Sequence, residues 1–196
     1  KMATIKKVYL VHGYQAAPEK HWFKWLAKQV QDAGHQAKIV AFTQPEQPDF
    51  AIWQQDLQRD LTELDENTII VAHSLGCLSS LHFLSTHLME NKIIENKIQA
   101  LFLVAGFMDL LPALPELNGF IQQAALNERT LQSKIQTRVV LVSNNDRLVP
   151  APFVIRLGHF LKAQLDEVVD AGHFMQEDGF NEFPLLWEKL EPLLQR

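Results

Sequence analysis

Thr68-Ile-Ile-Val-Ala-His-Ser-Leu-Gly-Cys77 is the stretch whose reading decides the fold. Residues 68–72 form a short, continuous apolar run rich in β-branched side chains, which predicts a strand buried on both faces, as in a parallel sheet. The run passes directly into His73-Ser74-Leu75-Gly76, and the apolar-rich segment Leu75–Leu88 reads as a helix. Strand, sharp turn with serine at its apex, then helix is the context of a nucleophile elbow, G-x-S-x-G. The turn crowds the residues two before and two after the serine. Gly76 meets one of these demands, and Ala72 stands at the other, where glycine is usual, adding one methyl group. Such a turn holds the Ser74 hydroxyl at the strand tip and leaves the Leu75 backbone N–H free to face a developing oxyanion. Serine also caps helices well, so the weight for chemistry comes from the strand and helix around it.

Five more apolar runs of strand length lie on either side: Val8–Val11, Ala37–Ala41, Ala100–Val104, Arg138–Val142 and Leu165–Val169. Amphipathic stretches separate them. Pro18 is placed as a first helical residue, with Trp22, Trp25, Leu26 and Val30 on one face. Asp49 can cap a second helix with an Ile52, Leu57, Leu61, Leu64 stripe. Pro150 opens another, and a last helix is expected from a cap at Asn181, with Pro184 in its first turn. Alternation of this kind predicts an α/β, doubly wound, mostly parallel six-stranded sheet in a single domain spanning residues 1–196. Residues 105–135 break the rhythm. Phe107–Leu117 holds Pro112, Pro115 and many large apolar side chains, and reads as a short cap at the strand carboxyl ends, where ligands bind in such folds.

Each further piece of the constellation follows a predicted strand. The first ends in His12-Gly13-Tyr14, where a glycine lets the loop turn back over the serine and the Tyr14 N–H becomes a second oxyanion donor. Eight histidines compete for the role of base. His173, in Asp170-Ala-Gly-His173-Phe, follows the last strand and comes last in the chain order serine, acid, histidine. The acid is Asp146 in Ser143-Asn-Asn-Asp146-Arg-Leu-Val-Pro150, with Asp109 after the preceding strand as the alternative and Asp170 a third carboxylate, more naturally a strand end. His21, Trp22, Phe107 and Met108 are candidates to line a substrate pocket, together with Trp25, Leu110, Leu111 and Phe120. Side chains of this type at helical spacing also build cores.

Taken together, His12-Gly-Tyr14, His21-Trp22-x-x-Trp25-Leu26, Ala72-His-Ser-Leu-Gly76, Ser143-Asn-Asn-Asp146-Arg-Leu-Val-Pro150 and Ala171-Gly-His173 resemble the small α/β-hydrolase-fold serine hydrolases of the YdeN and retinoblastoma-binding-protein-9-like family. The resemblance runs roughly from Val8 to Trp187. It implies a compact α/β-hydrolase fold without the first antiparallel strands, in strand order 2-1-3-4-5-6, and a triad of Ser74, Asp146 and His173. It leaves the substrate undefined.

Composition bounds the rest. In 196 residues, 47% are hydrophobic and 21% charged, enough for a core and a wet surface, and the net charge is −5. That surface attracts neither nucleic acid nor anionic lipid. No run approaches the roughly 20 apolar residues of a membrane helix. The single cysteine, Cys77, excludes an internal disulfide framework and cysteine-rich metal sites, and fits a cytoplasmic location. Val8–Val11 is too short for a signal-peptide core, and Lys1 before Met2 reads as an expression remnant. No metal or organic cofactor is called for. The expected activity is cleavage of a small, partly apolar ester, thioester or amide through an acyl-enzyme. The alternatives are an acyltransferase and a non-catalytic binding module on the same scaffold.

Overall fold

The computed structural model describes residues 4–90 and 97–196; Lys1 and Met2 lie outside the described residues. Six strands form one sheet: β1 (Lys7–Val11), β2 (Gln36–Val40), β3 (Thr68–His73), β4 (Ile98–Val104), β5 (Ile135–Ser143) and β6 (Gln164–Val168). Their order is β2-β1-β3-β4-β5-β6 and every pairing is parallel. The helices are α1 (Phe23–Asp32), α2 (Phe50–Asp60), α3 (Leu75–Glu90), α4 (Asn118–Gln122), α5 (Glu128–Ser133), α6 (Ala151–Phe160) and α7 (Pro184–Leu194). This is the doubly wound α/β-hydrolase arrangement expected from the sequence.

Strand alternation builds two cores. Val8, Leu10, Ile69, Val71, Phe102 and Leu141 point to one face, where α1 and α7 cover them with Phe23, Leu26, Val30, Leu186 and Leu190. Tyr9, Val11, Ile70, Ala72, Leu103 and Val140 point to the other, against Trp53 and Leu57 of α2, Leu78 and Leu81 of α3, and Val154 and Leu157 of α6. Because both faces are covered, the central strands carry apolar residues continuously instead of alternating with polar ones.

Two helix starts and the buried face of one further helix differ from the sequence reading. The first helix begins at Phe23, not Pro18, because His21 takes a left-handed backbone (φ 56°) through which an α-helix cannot propagate. Asp49 does cap α2, accepting from the Ile52 N–H at 3.0 Å, but Ile52 itself is 38% exposed. The buried face of α2 instead includes Phe50, Trp53 and Leu57, with Asp56 and Asp60 tied to Arg59, Lys38 and Thr43. The last helix starts at Pro184, with Phe183 and not Asn181 at its cap position.

The excursion between β4 and β5 has two parts. Its end, α5, packs against α3 and β5 and serves as the crossover helix. Its middle, at α4, is pinned over α2, where Phe120 meets Phe50 and Trp53 edge-on, both at 5.3 Å.

Candidate active site

Ser74 sits between β3 and α3 with a left-handed backbone (φ 57°), a strained state for a non-glycine residue that clusters at functional sites. The Ser74 N–H donates to the Val104 carbonyl at the end of β4 at 2.9 Å, and the Cys77 N–H donates across the turn to the Ser74 carbonyl at 2.9 Å. Gly76 is required for a different reason than the mutual crowding of residues 72 and 76 expected from the sequence: a Cβ there would lie 2.3 Å from the His12 carbonyl oxygen and 2.8 Å from that of Val11. Ala72 is accommodated in the sheet, paired between Val11 and Leu103. Leu75, as the first residue of α3, has a backbone N–H with no acceptor inside its helix.

The loop after β1 folds against this turn. A Cβ on Gly13 would meet the His73 carbonyl oxygen at 3.0 Å and the Leu75 nitrogen at 3.1 Å, so only glycine lets the loop come this close. His12 organises it. The Phe42 N–H donates to His12 Nε2 at 3.1 Å, which leaves the proton on Nδ1, and Nδ1 donates to the Gly13 carbonyl at 2.9 Å. Burial pushes the His12 pKa below its ordinary value and keeps the ring neutral. With the Gly13 carbonyl held toward His12, the N–H of the same trans peptide, that of Tyr14, is turned the opposite way.

His173 completes a continuous chain of hydrogen bonds. The Ser74 hydroxyl lies 2.9 Å from His173 Nε2, and His173 Nδ1 lies 2.8 Å from Asp146 Oδ2. Nδ1 facing a carboxylate carries the proton, so Nε2 accepts from serine. The second Asp146 oxygen accepts from the Leu148 and Val149 N–H groups at 2.9 and 3.0 Å, which fixes the carboxylate. Asp109 is elsewhere, paired with Arg156, and the backbone N–H of Asp170 donates to Asn144 Oδ1 at 2.6 Å.

The loop bearing His173 is tied down from several directions. Asn145 Oδ1 accepts from the Gly172 N–H at 2.7 Å, and Asp178 Oδ2 from the His173 N–H at 3.0 Å. Gly172 (φ 56°) is packed so closely that a Cβ would fall 2.3 Å from the Asp178 carboxylate. The Trp22 Nε1–H donates to the Phe174 carbonyl at 3.0 Å. His73, next to the serine, places Nε2 2.8 Å from the His173 carbonyl and donates to it. Burial, and then the neighbouring His173 and His21, hold the His73 pKa well below the ordinary value.

The site opens into a cavity of about 550 Å³ lined by Gly13, Tyr14, Ala16, His21, His73, Ser74, Leu114, Leu148, His173 and Met175, with Lys20, Glu46 and Glu177 among the charged groups in its wall. Of the expected pocket residues, His21 is there, on a turn and not on a helix. Trp22 is not: it is buried in the α1–α7 core, beneath the His173 loop. Phe107 and Met108 are not either. Gly106 abuts Cys77 and Leu157, which takes the chain down onto α3 and α6, where Phe107 is buried and Met108 packs beside it. Leu114 and Leu148 take their place.

The model of the serine hydrolase family matches residues 8–192. The chain belongs to this family. Among similar proteins, the hydrolase YdeN of Bacillus subtilis is 37% identical over 185 residues, 94% of each chain. The crystal structure of that ydeN gene product superposes with a TM-score of 0.90 at 34% identity, covering 97% of this chain and 100% of the other. A YdeN-like hydrolase from Pectobacterium atrosepticum shares the fold at TM-score 0.68 and 21% identity, over 97% and 91% of the two chains.

Asp178, Asn145 and Gln176, which hold the His173 loop, were missed by sequence reasoning. They sit in turn-like polar stretches with no periodicity, and only their proximity to Asp146 and His173 in the chain could have flagged them. No described helix is long and apolar enough to cross a membrane.

Proposed function

We propose that the protein hydrolyses small, partly apolar carboxylic esters through an acyl-enzyme on Ser74. The observation that carries this reading is the unbroken chain from the Ser74 hydroxyl through His173 to Asp146, at 2.9 and 2.8 Å, with the serine at the head of a helix. His173 Nε2 takes the hydroxyl proton as Ser74 Oγ attacks the acyl carbonyl, and Asp146 stabilises the imidazolium and holds the ring in the tautomer required. The carbonyl electrons move onto oxygen, and the Leu75 and Tyr14 N–H groups donate hydrogen bonds to the oxyanion. Each such donor is worth roughly 10²–10³ in rate. His173 then returns the proton to the leaving alcohol. Water, deprotonated by the same nitrogen, attacks the acyl-enzyme and releases the acid.

A cavity of about 550 Å³ suits a small-molecule substrate, and Ala16, Leu114, Leu148 and Met175 offer it an apolar wall. The single cysteine, buried and unpaired, fits action in the cytoplasm. The test is turnover of p-nitrophenyl acetate and butyrate by the wild type and by Ser74→Ala. The expected result is saturable hydrolysis that falls by about 10³-fold or more in the variant. Equal rates for the two proteins would refute the reading.

A further inference from the structure

His21 is a cavity residue whose side-chain chemistry the acyl-enzyme route leaves unused. It lines the same cavity as Ser74 and His173, and its ring stands edge-on to His73 at 5.7 Å. Its backbone and ring are both bound to one partner: the His21 N–H donates to Gln176 Oε1 at 3.1 Å, and the Gln176 N–H donates to His21 Nδ1 at 3.0 Å. Because Nδ1 accepts, the proton of a neutral ring sits on Nε2. Burial presses the His21 pKa down to about 4, so the ring is neutral at ordinary pH. The left-handed backbone at His21 (φ 56°) is a strained state retained where its surroundings over-determine it; here the surroundings are the reciprocal bonds to Gln176.

We propose that His21 Nε2–H is a substrate-orienting donor and that the preferred esters carry an uncharged acceptor oxygen close to the scissile carbonyl. This deepens, and rests on, the ester-hydrolase reading above. Glu46 and Glu177 outnumber Lys20 in the wall, which disfavours a carboxylate or phosphate on the substrate. A site built to donate to a substrate oxygen discriminates against an analogue that lacks it, because the donor is then left unpaired. Alkoxy and polyol esters are therefore favoured over plain alkyl esters of the same length.

Two matched pairs test this. p-Nitrophenyl methoxyacetate against p-nitrophenyl butyrate places the oxygen in the acyl part, and 2-methoxyethyl butyrate against butyl butyrate places it in the alcohol. The preference, kcat/KM for the oxygenated ester over its alkyl match, is compared between the wild type, His21→Asn and His21→Gln, so that intrinsic reactivity cancels. Asn tolerates the left-handed backbone and its carbonyl oxygen can stand in for Nδ1 toward Gln176, but it has no donor at the Nε2 position. Gln puts an N–H near that position. The expected result is a preference at least tenfold smaller in His21→Asn for one pair, partly restored in His21→Gln, and the pair affected says which part of the substrate His21 holds. Unchanged preferences in both pairs, or equal losses for oxygenated and alkyl esters, would overturn the proposal and make His21 structural. Fluorophosphonate labelling of the same samples separates the two readings. Wild type labelled at Ser74 with unchanged preferences defeats the His21 assignment alone, whereas unlabelled, inactive wild type defeats both.

Discussion

Asp178 holds His173 by its backbone, not by its ring: Asp178 Oδ2 accepts from the His173 N–H at 3.0 Å and from the Met175 N–H at 3.2 Å. The carboxylate closes the loop immediately after the residue assigned as base, while Asp146 engages the ring itself. One acid therefore sets where the imidazole starts, and the other sets how it is turned.

Asp178→Ala is expected to slow phosphonylation of Ser74 about tenfold or more, since displacement of a reacting group by an ångström can cost about 10². Loss of stability should be about 1–2 kcal/mol, because water can reach the exposed Met175 N–H while the part-buried His173 N–H loses its acceptor. Asp178→Asn keeps an acceptor oxygen and should recover most of the rate. Wild-type labelling kinetics in Asp178→Ala would show that Asn145 and Trp22 suffice to hold the loop.

Gly76→Ala tests the close approach of the elbow to the first loop. The new methyl would press on the His12 carbonyl oxygen at 2.3 Å, backbone against backbone, so the β1 loop must move. The expected cost is about 2–4 kcal/mol, seen as a Tm lowered by roughly 5–15 °C, with slower acylation as Tyr14 is displaced. A Tm within 2 °C of the wild type, on the order of 1 kcal/mol or less, would mean that the turn is looser than the structure shows.

Stability should fall on mild acidification. His12 and His73 are held below their ordinary pKa by burial in the native state, so between their unfolded and native values the unfolded chain binds more protons and stability rises with pH. The gain is complete above the unfolded value near 6.5 and is lost progressively below it. Each of these two rings contributes up to about 1.4 kcal/mol per pH unit in that window. His21, with a native pKa of about 4, adds less because it is half-open to solvent. Urea midpoints from pH 7.5 to 4.5 measure this, and a flat profile from pH 6.5 to 5 would contradict it.

The parts of the molecule that were legible in the sequence are those where one residue type answers one steric or chemical demand. Thr68–His73 must be buried on both faces, the elbow needs a small residue at position 76, and Asp146 and His173 follow strand ends in the order the fold imposes; that Gly76 answers to the His12 carbonyl, and not to residue 72, was not legible. The illegible parts depend on contacts between distant segments. The start of α1 is set by Gln176, 155 residues from His21, and not by Pro18. Trp22, Phe107 and Met108 are apolar residues beside the site in sequence but packed beneath it in space, and periodicity does not tell a pocket wall from a core. The cavity wall came instead from Leu114, Leu148 and Met175, in irregular segments with no pattern to read.

The most direct test of the account is labelling of the folded protein with a fluorophosphonate probe, followed by mass spectrometry of the adduct. The account predicts one equivalent on Ser74, none on Ser74→Ala, and labelling slowed by about 10²-fold or more in His173→Ala. A folded wild-type protein that takes no label, or takes it at another residue, would contradict an activated serine at this site.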